Sequence, residues 1–125
     1  MKFRAITENH LYAKAYAKGK KFVGRYAVVY VMPDFKSAKL QKANPTKEKI
    51  NRIGITVTKK LGTAVVRNRA KRIIREGFKL CDAAYRIKRG NLIVIVARQS
   101  ITGAKSTDVY NDLVKAFSVL GYAAK

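Results

Sequence analysis

Apolar positions recur along the chain in three rhythms, and each predicts an element. Leu11, Tyr12, Ala15 and Tyr16 return at helical spacing, Thr7 and Asn9 can serve as N-caps, and Gly19 falls where a helix would end. A first helix is therefore expected from about Glu8 to Lys18. Phe22 to Met32 is rich in Val and Tyr and stops at Pro33-Asp34, which reads as a strand, bent or split in two near Gly24. Within it Tyr26, Val28, Tyr30 and Met32 point one way and Ala27, Val29 and Val31 the other, so both faces should be partly covered. Ile53, Ile55 and Val57 alternate with Gly54, Thr56 and Thr58, the pattern of a strand with one apolar face. After Gly62-Thr63, with Thr63 as N-cap, Val66, Ala70, Ile73, Ile74, Gly77, Phe78 and Cys81 share one arc at about 100° per residue and predict an amphipathic helix. Leu92 to Ala97 is a continuous apolar run behind Arg89-Gly90-Asn91, as in a strand buried on both faces. Ser106 or Thr107 can cap a last helix whose Val109, Leu113, Ala116, Phe117 and Leu120 form a stripe.

The order is α, β, β, α, β, α, an α/β arrangement of one domain over residues 1–125. A strand, helix, strand passage such as Ile53 to Ala97 normally joins parallel strands by a right-handed crossover. Between Pro33 and Lys49 the composition turns polar, with Lys36, Lys39, Lys42, Lys47 and Lys49, and marks a connecting loop.

Charge changes the picture more than composition does. The chain has 48% hydrophobic residues, enough for one core, but 28 Lys and Arg face only 7 Asp and Glu, a formal net charge of +21. Self-repulsion on that scale calls for a polyanionic partner: nucleic acid, an anionic membrane or an acidic protein. A membrane helix would need a long apolar span or a basic helix backed by Trp and Phe; neither is present, and the chain has no Trp, so nucleic acid leads. Met1-Lys2-Phe3-Arg4 starts like a signal peptide, but Thr7, Glu8, Asn9 and His10 interrupt it. Cys81 is the only cysteine, which excludes an internal disulfide and a thiolate zinc site. A cytoplasmic setting is expected.

The second helix concentrates the charge. Arg67, Asn68, Arg69, Lys71, Arg72, Arg75 and Lys79 occupy its polar side, Lys59 and Lys60 precede it, and on this stretch only Glu76 could pair with Arg72 or another neighbour. A solvated face normally mixes its signs, so a polyphosphate surface explains the pattern better. Guanidinium groups fork onto phosphate oxygens, Asn68 can read a base edge or a sugar hydroxyl, and the free N–H groups near Gly62 and Thr63 can take another phosphate. Lys71 also reads as a solvated amine, and Cys81 as a small core residue.

Tyr12 and Tyr16 lie one turn apart, and Tyr30 lies on a strand that could pass beneath them. Such rings beside cations can stack unpaired bases; they are also ordinary core residues with wet hydroxyls. Catalytic signals are scarce. His10 is alone, and Glu8, Asp34, Glu48, Glu76, Asp82, Asp108 and Asp112 are scattered, without metal-ligand spacing. Asp108 and Asp112 share a face near a helix start, where they complement the macrodipole.

The stretch "KKLGTAVVRNRAKRIIRE", with "RNR" at Arg67-Asn68-Arg69, resembles the signature of the bacterial ribonuclease P protein component. "LYAKAYAKG", "RIGITVTKK" and "NLIVIVAR" resemble the family's first helix and the strands flanking the signature. The resemblance implies a single-domain α/β sandwich of the ribosomal protein S5 domain 2 type, with about four strands in a mixed sheet, three helices and an unusual left-handed βαβ crossover. It also implies a ribonucleoprotein that removes the 5′ leader of precursor tRNA. Catalysis would belong to an RNA subunit with Mg2+ held mainly by RNA, with no organic cofactor and no catalytic residue in this chain. Arg67, Asn68, Arg69, Lys71, Arg72 and Arg75 would then contact the catalytic RNA or flank the leader, and Tyr12, Tyr16 and Tyr30 would form the leader cleft. Two features depart from the family: Tyr stands at both first-helix cleft positions where Phe is common, and the Pro33 to Lys49 loop is longer. A structural ribosomal RNA-binding protein is the alternative of a different class, and a protein-only nuclease the third.

Overall fold

The computed structural model describes residues 3–6, 9–34 and 50–123. The elements are β1 (Phe3–Ala5), α1 (Asn9–Lys18), β2 (Lys20–Val23), β3 (Ala27–Pro33), β4 (Asn51–Thr56), α2 (Ala64–Tyr85), β5 (Asn91–Ala97) and α3 (Ser106–Leu120). Two short 3-10 turns, Lys59–Leu61 and Gln99–Gly103, precede α2 and α3.

One mixed sheet holds all the strands in the order β1-β4-β5-β3-β2. Parallel pairs join β1 to β4 and β4 to β5, and antiparallel pairs join β3 to β5 and β2 to β3. The expected mixed sheet with three helices is observed. The three-residue β1 adds a fifth strand at the edge; so short a segment carries no alternation to read. The Phe22 to Met32 stretch is split, as its glycine allowed, into a hairpin pairing Lys20 with Val31 and Val23 with Val28. β4 and β5 are adjacent and parallel with α2 between them in sequence, the predicted βαβ unit.

Side chains alternate across the sheet, so each strand feeds two layers. Val29, Val31, Ile93 and Ile95 turn to one face and pack with Ile73, Ile74 and Phe78 of α2 and Leu113 and Phe117 of α3. Phe78 and Phe117 meet edge to face with centroids 6.0 Å apart. At Gly77 the two helices come so close that a Cβ would sit 3.1 Å from Ser106 O and Tyr110 N, and glycine permits that approach. Burial pushes the Cys81 thiol up to about 12, with Asp82 adding to the effect, so this cysteine is an inert core residue. Met32, Leu92 and Val94 turn to the opposite face and pack under Ile6, Leu11, Tyr12 and Ala15.

The helix starts follow local chemistry. Thr63 caps α2 as expected, its Oγ1 accepting from the Val66 N–H at 3.4 Å. At α3 the capping position is Lys105 rather than Ser106 or Thr107, and Asp108 accepts the Lys105 N–H at 2.9 Å. Thr7 and Glu8, expected at the start of α1, and residues 35–49 of the lysine-bearing loop lie outside the described residues.

Candidate nucleic-acid interface

The buried arc of α2 comprises Ala70, Ile73, Ile74, Gly77, Phe78, Cys81 and Asp82, which fixes the opposite arc as surface. Asn68, Arg72, Arg75, Glu76 and Lys79 are exposed there, as are Lys59 and Lys60 in the turn before the helix. The other described acids are spent elsewhere. Asp34 takes a forked pair of bonds from Arg52 at 2.6 and 2.8 Å, and Asp82 accepts from Arg89 at 2.8 Å and from the Ile87 N–H at 3.1 Å. Asp108 is engaged at its helix cap, and Asp112 accepts the N–H groups of Arg25, Tyr26 and Ala27. Among the described residues no carboxylate forms an ion pair with Arg67, Arg69, Lys71, Arg72, Arg75 or Lys79, and Glu76 itself pairs with none of them. With Glu76 as the one carboxylate among the described residues on this face, its field stays strongly positive.

Two members of the motif differ from their exposed neighbours. Arg69 is half-buried and donates to Thr102 O at 3.2 Å and Ala104 O at 2.8 Å, so it ties α2 to the turn before α3. Arg67 is also half-buried, with its Nε enclosed and without a hydrogen-bond partner. Sequence spacing placed both on the polar side but could not show that one guanidinium serves the fold.

The tyrosines come together on the other side of β4. Tyr12 and Tyr16 of α1, with Asn9, the end of β4 from Ile55 to Val57, and Lys71 of α2, line an open groove of about 410 Å³. Lys71 thus stands where the basic helix meets the aromatic groove. Tyr16 meets Tyr30 edge to face with centroids 5.0 Å apart, and its hydroxyl lies 3.1 Å from Thr56 Oγ1. Tyr12 donates to Ile6 O at 3.4 Å, and burial, with Tyr16 adding, raises its phenol above the ordinary value. Lys21 Nζ lies 5.8 Å from the Tyr30 centroid and brings a cation to that ring. Tyr16 is 42% exposed and presents ring surface to solvent, whereas Tyr12 and Tyr30 are half-buried.

Lys21, Gly54 and Thr56 escaped the sequence reading. Gly54 had a signal: a glycine inside an alternating strand marks close approach of another group. A Cβ there would lie 2.5 Å from Cε1 of Tyr12. Among the described residues no three His, Cys, Asp or Glu cluster to hold a metal ion, and no helix is long and apolar enough to cross a membrane.

A small cationic α/β sandwich with an aromatic groove beside an unneutralised helix is the class that this geometry defines. Residues 1–121 match the family model described as Ribonuclease P. The ribonuclease P protein component of Clostridium acetobutylicum is 35% identical over 121 residues, covering 97% of this chain and 92% of that protein. The component from Clostridioides difficile is 35% identical over 106 residues, 85% of this chain and 82% of that protein. Among solved structures, the Staphylococcus aureus RNase P protein superposes with a TM-score of 0.73 at 28% identity, covering 95% of this chain and 96% of that one. The Thermotoga maritima RNase P protein, at 24% identity, shares the fold with a TM-score of 0.64 over 84% of this chain and 86% of that one. The chain belongs to the bacterial ribonuclease P protein family, and with it to an endonuclease complex of tRNA processing. No observation favours the ribosomal alternative.

Proposed function

We propose that this chain is the RNA-binding subunit of a ribonuclease P ribonucleoprotein and contacts two RNAs at once. The exposed cations of α2, with Lys59 and Lys60, take phosphates of the catalytic RNA. The groove lined by Tyr12 and Tyr16, with Tyr30 packed against Tyr16, takes the single-stranded 5′ leader of precursor tRNA, whose bases stack on the exposed ring while cations follow its backbone. Lys71, lining the groove from the basic helix, sits between the two paths. The observation that carries this reading is the contrast in charge: the described acids other than Glu76 are held by Arg52, Arg89 and backbone N–H groups, and on the α2 face the unpaired Glu76 stands alone against the cations. Polyphosphate supplies the missing counter-charge.

In this reading the RNA subunit performs hydrolysis, and Mg2+ held mainly by RNA would supply the activation of water there. The protein contributes binding and orientation of the substrate.

Reconstitution tests the proposal. The full chain, added to a catalytic RNA of this family, should restore 5′ processing of a precursor tRNA at a Mg2+ concentration where the RNA alone is slow. With six to ten phosphate contacts, affinity for the RNA should fall about a thousandfold or more between 50 and 200 mM salt. A flat salt titration, or cleavage by RNA-free protein with Mg2+, overturns it.

A further inference from the structure

A second cationic corner lies at the end of the sheet where β3 begins and β5 ends. The turn Gly24 to Tyr26 between β2 and β3 is held there by residues 72 to 87 positions away in sequence. Asp112 of α3 accepts the N–H groups of Arg25, Tyr26 and Ala27 at 3.0, 2.9 and 3.2 Å. Arg98 donates from Nη1 to Gly24 O at 2.6 Å and from its backbone N–H to Tyr26 O at 2.9 Å. The Ser100 hydroxyl donates to Arg25 O at 2.6 Å, and the Gly24 N–H donates to Ala27 O at 2.9 Å. Every backbone polar group from Gly24 to Tyr26 thus has a partner in the protein. A hairpin turn closes without such external support, so this one is stiffer than chain reversal requires.

The stiffness positions two exposed arginines. Arg25 extends over the Tyr26 ring, with Cζ 5.5 Å from the centroid, and Arg98 uses only part of its donor fork on Gly24. Asp112 is the carboxylate that holds this turn, and its oxygens are engaged by backbone N–H groups. Among the described residues neither arginine has an ion pair. Arg98 leads directly into the Gln99–Gly103 turn, whose far end is bound by Arg69 of α2 through Thr102 O and Ala104 O. The corner and the basic helix are thereby joined into one scaffold.

We propose that Arg25 and Arg98 form a second contact for the phosphate backbone of the catalytic RNA, linked to the α2 face through the Gln99–Gly103 turn. The inference rests on the reading that the chain binds such an RNA. Its chemistry differs from that of the tyrosine groove: Tyr26 is half-buried beneath Arg25 and offers no open stacking platform. Forked donors on a rigid support suit the fixed phosphate spacing of a folded RNA, whereas a mobile single strand is better held by exposed rings.

Arg25→Gln is the test, because it removes a charge and leaves the backbone bonds of the turn in place. Binding of the full chain to the catalytic RNA is measured across a salt series, with thermal melting as the check on folding. The expected result is an affinity a few-fold lower at low salt and a plot of log K against log salt shallower by about 0.9. The melting temperature should stay unchanged, and Arg25→Lys should recover the slope. Wild-type slope and affinity in Arg25→Gln, with the wild type binding well, overturn the corner alone. So does a loss confined to leader-bearing substrate, which would assign the corner to the leader. Failure of the wild type itself to bind this RNA overturns the functional reading and the corner with it.

Discussion

The two faces of the sheet are built from the same strands and much the same residue types, yet they are covered to different extents. Toward α2 and α3, Val29, Val31, Ile93 and Ile95 are completely enclosed. Toward α1, the ten-residue helix buries Met32, Leu92 and Val94 but leaves the next row, Thr56, Val96, Val28 and Val23 in register, less covered. Val23 is 55% exposed and Val28 and Val96 are half-buried. The sealed face supplies apolar burial, worth roughly 1.5–3 kcal/mol for each large side chain. The open face sacrifices some of it and gains a groove with a ring and a lysine at its edge. If the groove takes the leader as proposed, stability and leader binding lie on opposite faces of the sheet, and substitutions on the two sides should separate them.

The largest effect belongs to the sealed side. Phe78→Ala removes a ring that is 1% exposed and meets Phe117 edge to face, and it should lower the unfolding free energy by about 3–5 kcal/mol. Measured by urea unfolding, that loss should accompany nearly unchanged affinity for RNA at temperatures where the variant remains folded. A loss below about 1 kcal/mol would break the comparison, since it would mean that this layer is not the one that stabilises the chain.

On the open side the same kind of truncation should act in the opposite register. Tyr16→Ala is expected to leave unfolding nearly unaltered and to weaken binding of leader-bearing precursor tRNA by roughly 1–3 kcal/mol, the cost of one lost stacking partner. A leaderless substrate measured beside it should bind as before. Equal losses for both substrates would make Tyr16 a structural residue and merge the two faces.

Much of this division could be read from the residues. The alternation in Tyr26 to Met32 assigned Tyr30 and Ala27 to opposite sides, and the apolar arc of α2 identified its buried residues almost completely, because both follow from backbone periodicity alone. What escaped depends on how elements cross. No local pattern states that α1 lies over Gly54, that Lys71 reaches the tyrosine groove, or that Asp112 closes a turn 85 to 87 residues earlier. Arg69 is the sharpest case. Its motif marks it as a cation for RNA, and the fold gives its guanidinium two carbonyls of the chain itself. Charge patterns reveal that a surface is cationic without revealing which of its members also hold the protein together.

The smallest effect asks how the groove holds its exposed ring. The family resemblance leads one to expect Phe at this first-helix position, and here the Tyr16 hydroxyl lies 3.1 Å from Thr56 Oγ1 in a solvent-exposed setting. Such a bond contributes about 0.5–1 kcal/mol at most, so Tyr16→Phe should weaken leader binding by no more than about fivefold and leave the fold intact. If the hydroxyl acts by fixing the ring edge-on to Tyr30, Thr56→Val should cause the same small loss, and the double variant should lose no more than either single one. If instead the hydroxyl touches the leader, Tyr16→Phe will lose affinity while Thr56→Val frees the group and does not. Tight binding in both single variants would mean that packing against Tyr30 alone orients the ring, so that a phenylalanine at this position would serve as well as the tyrosine.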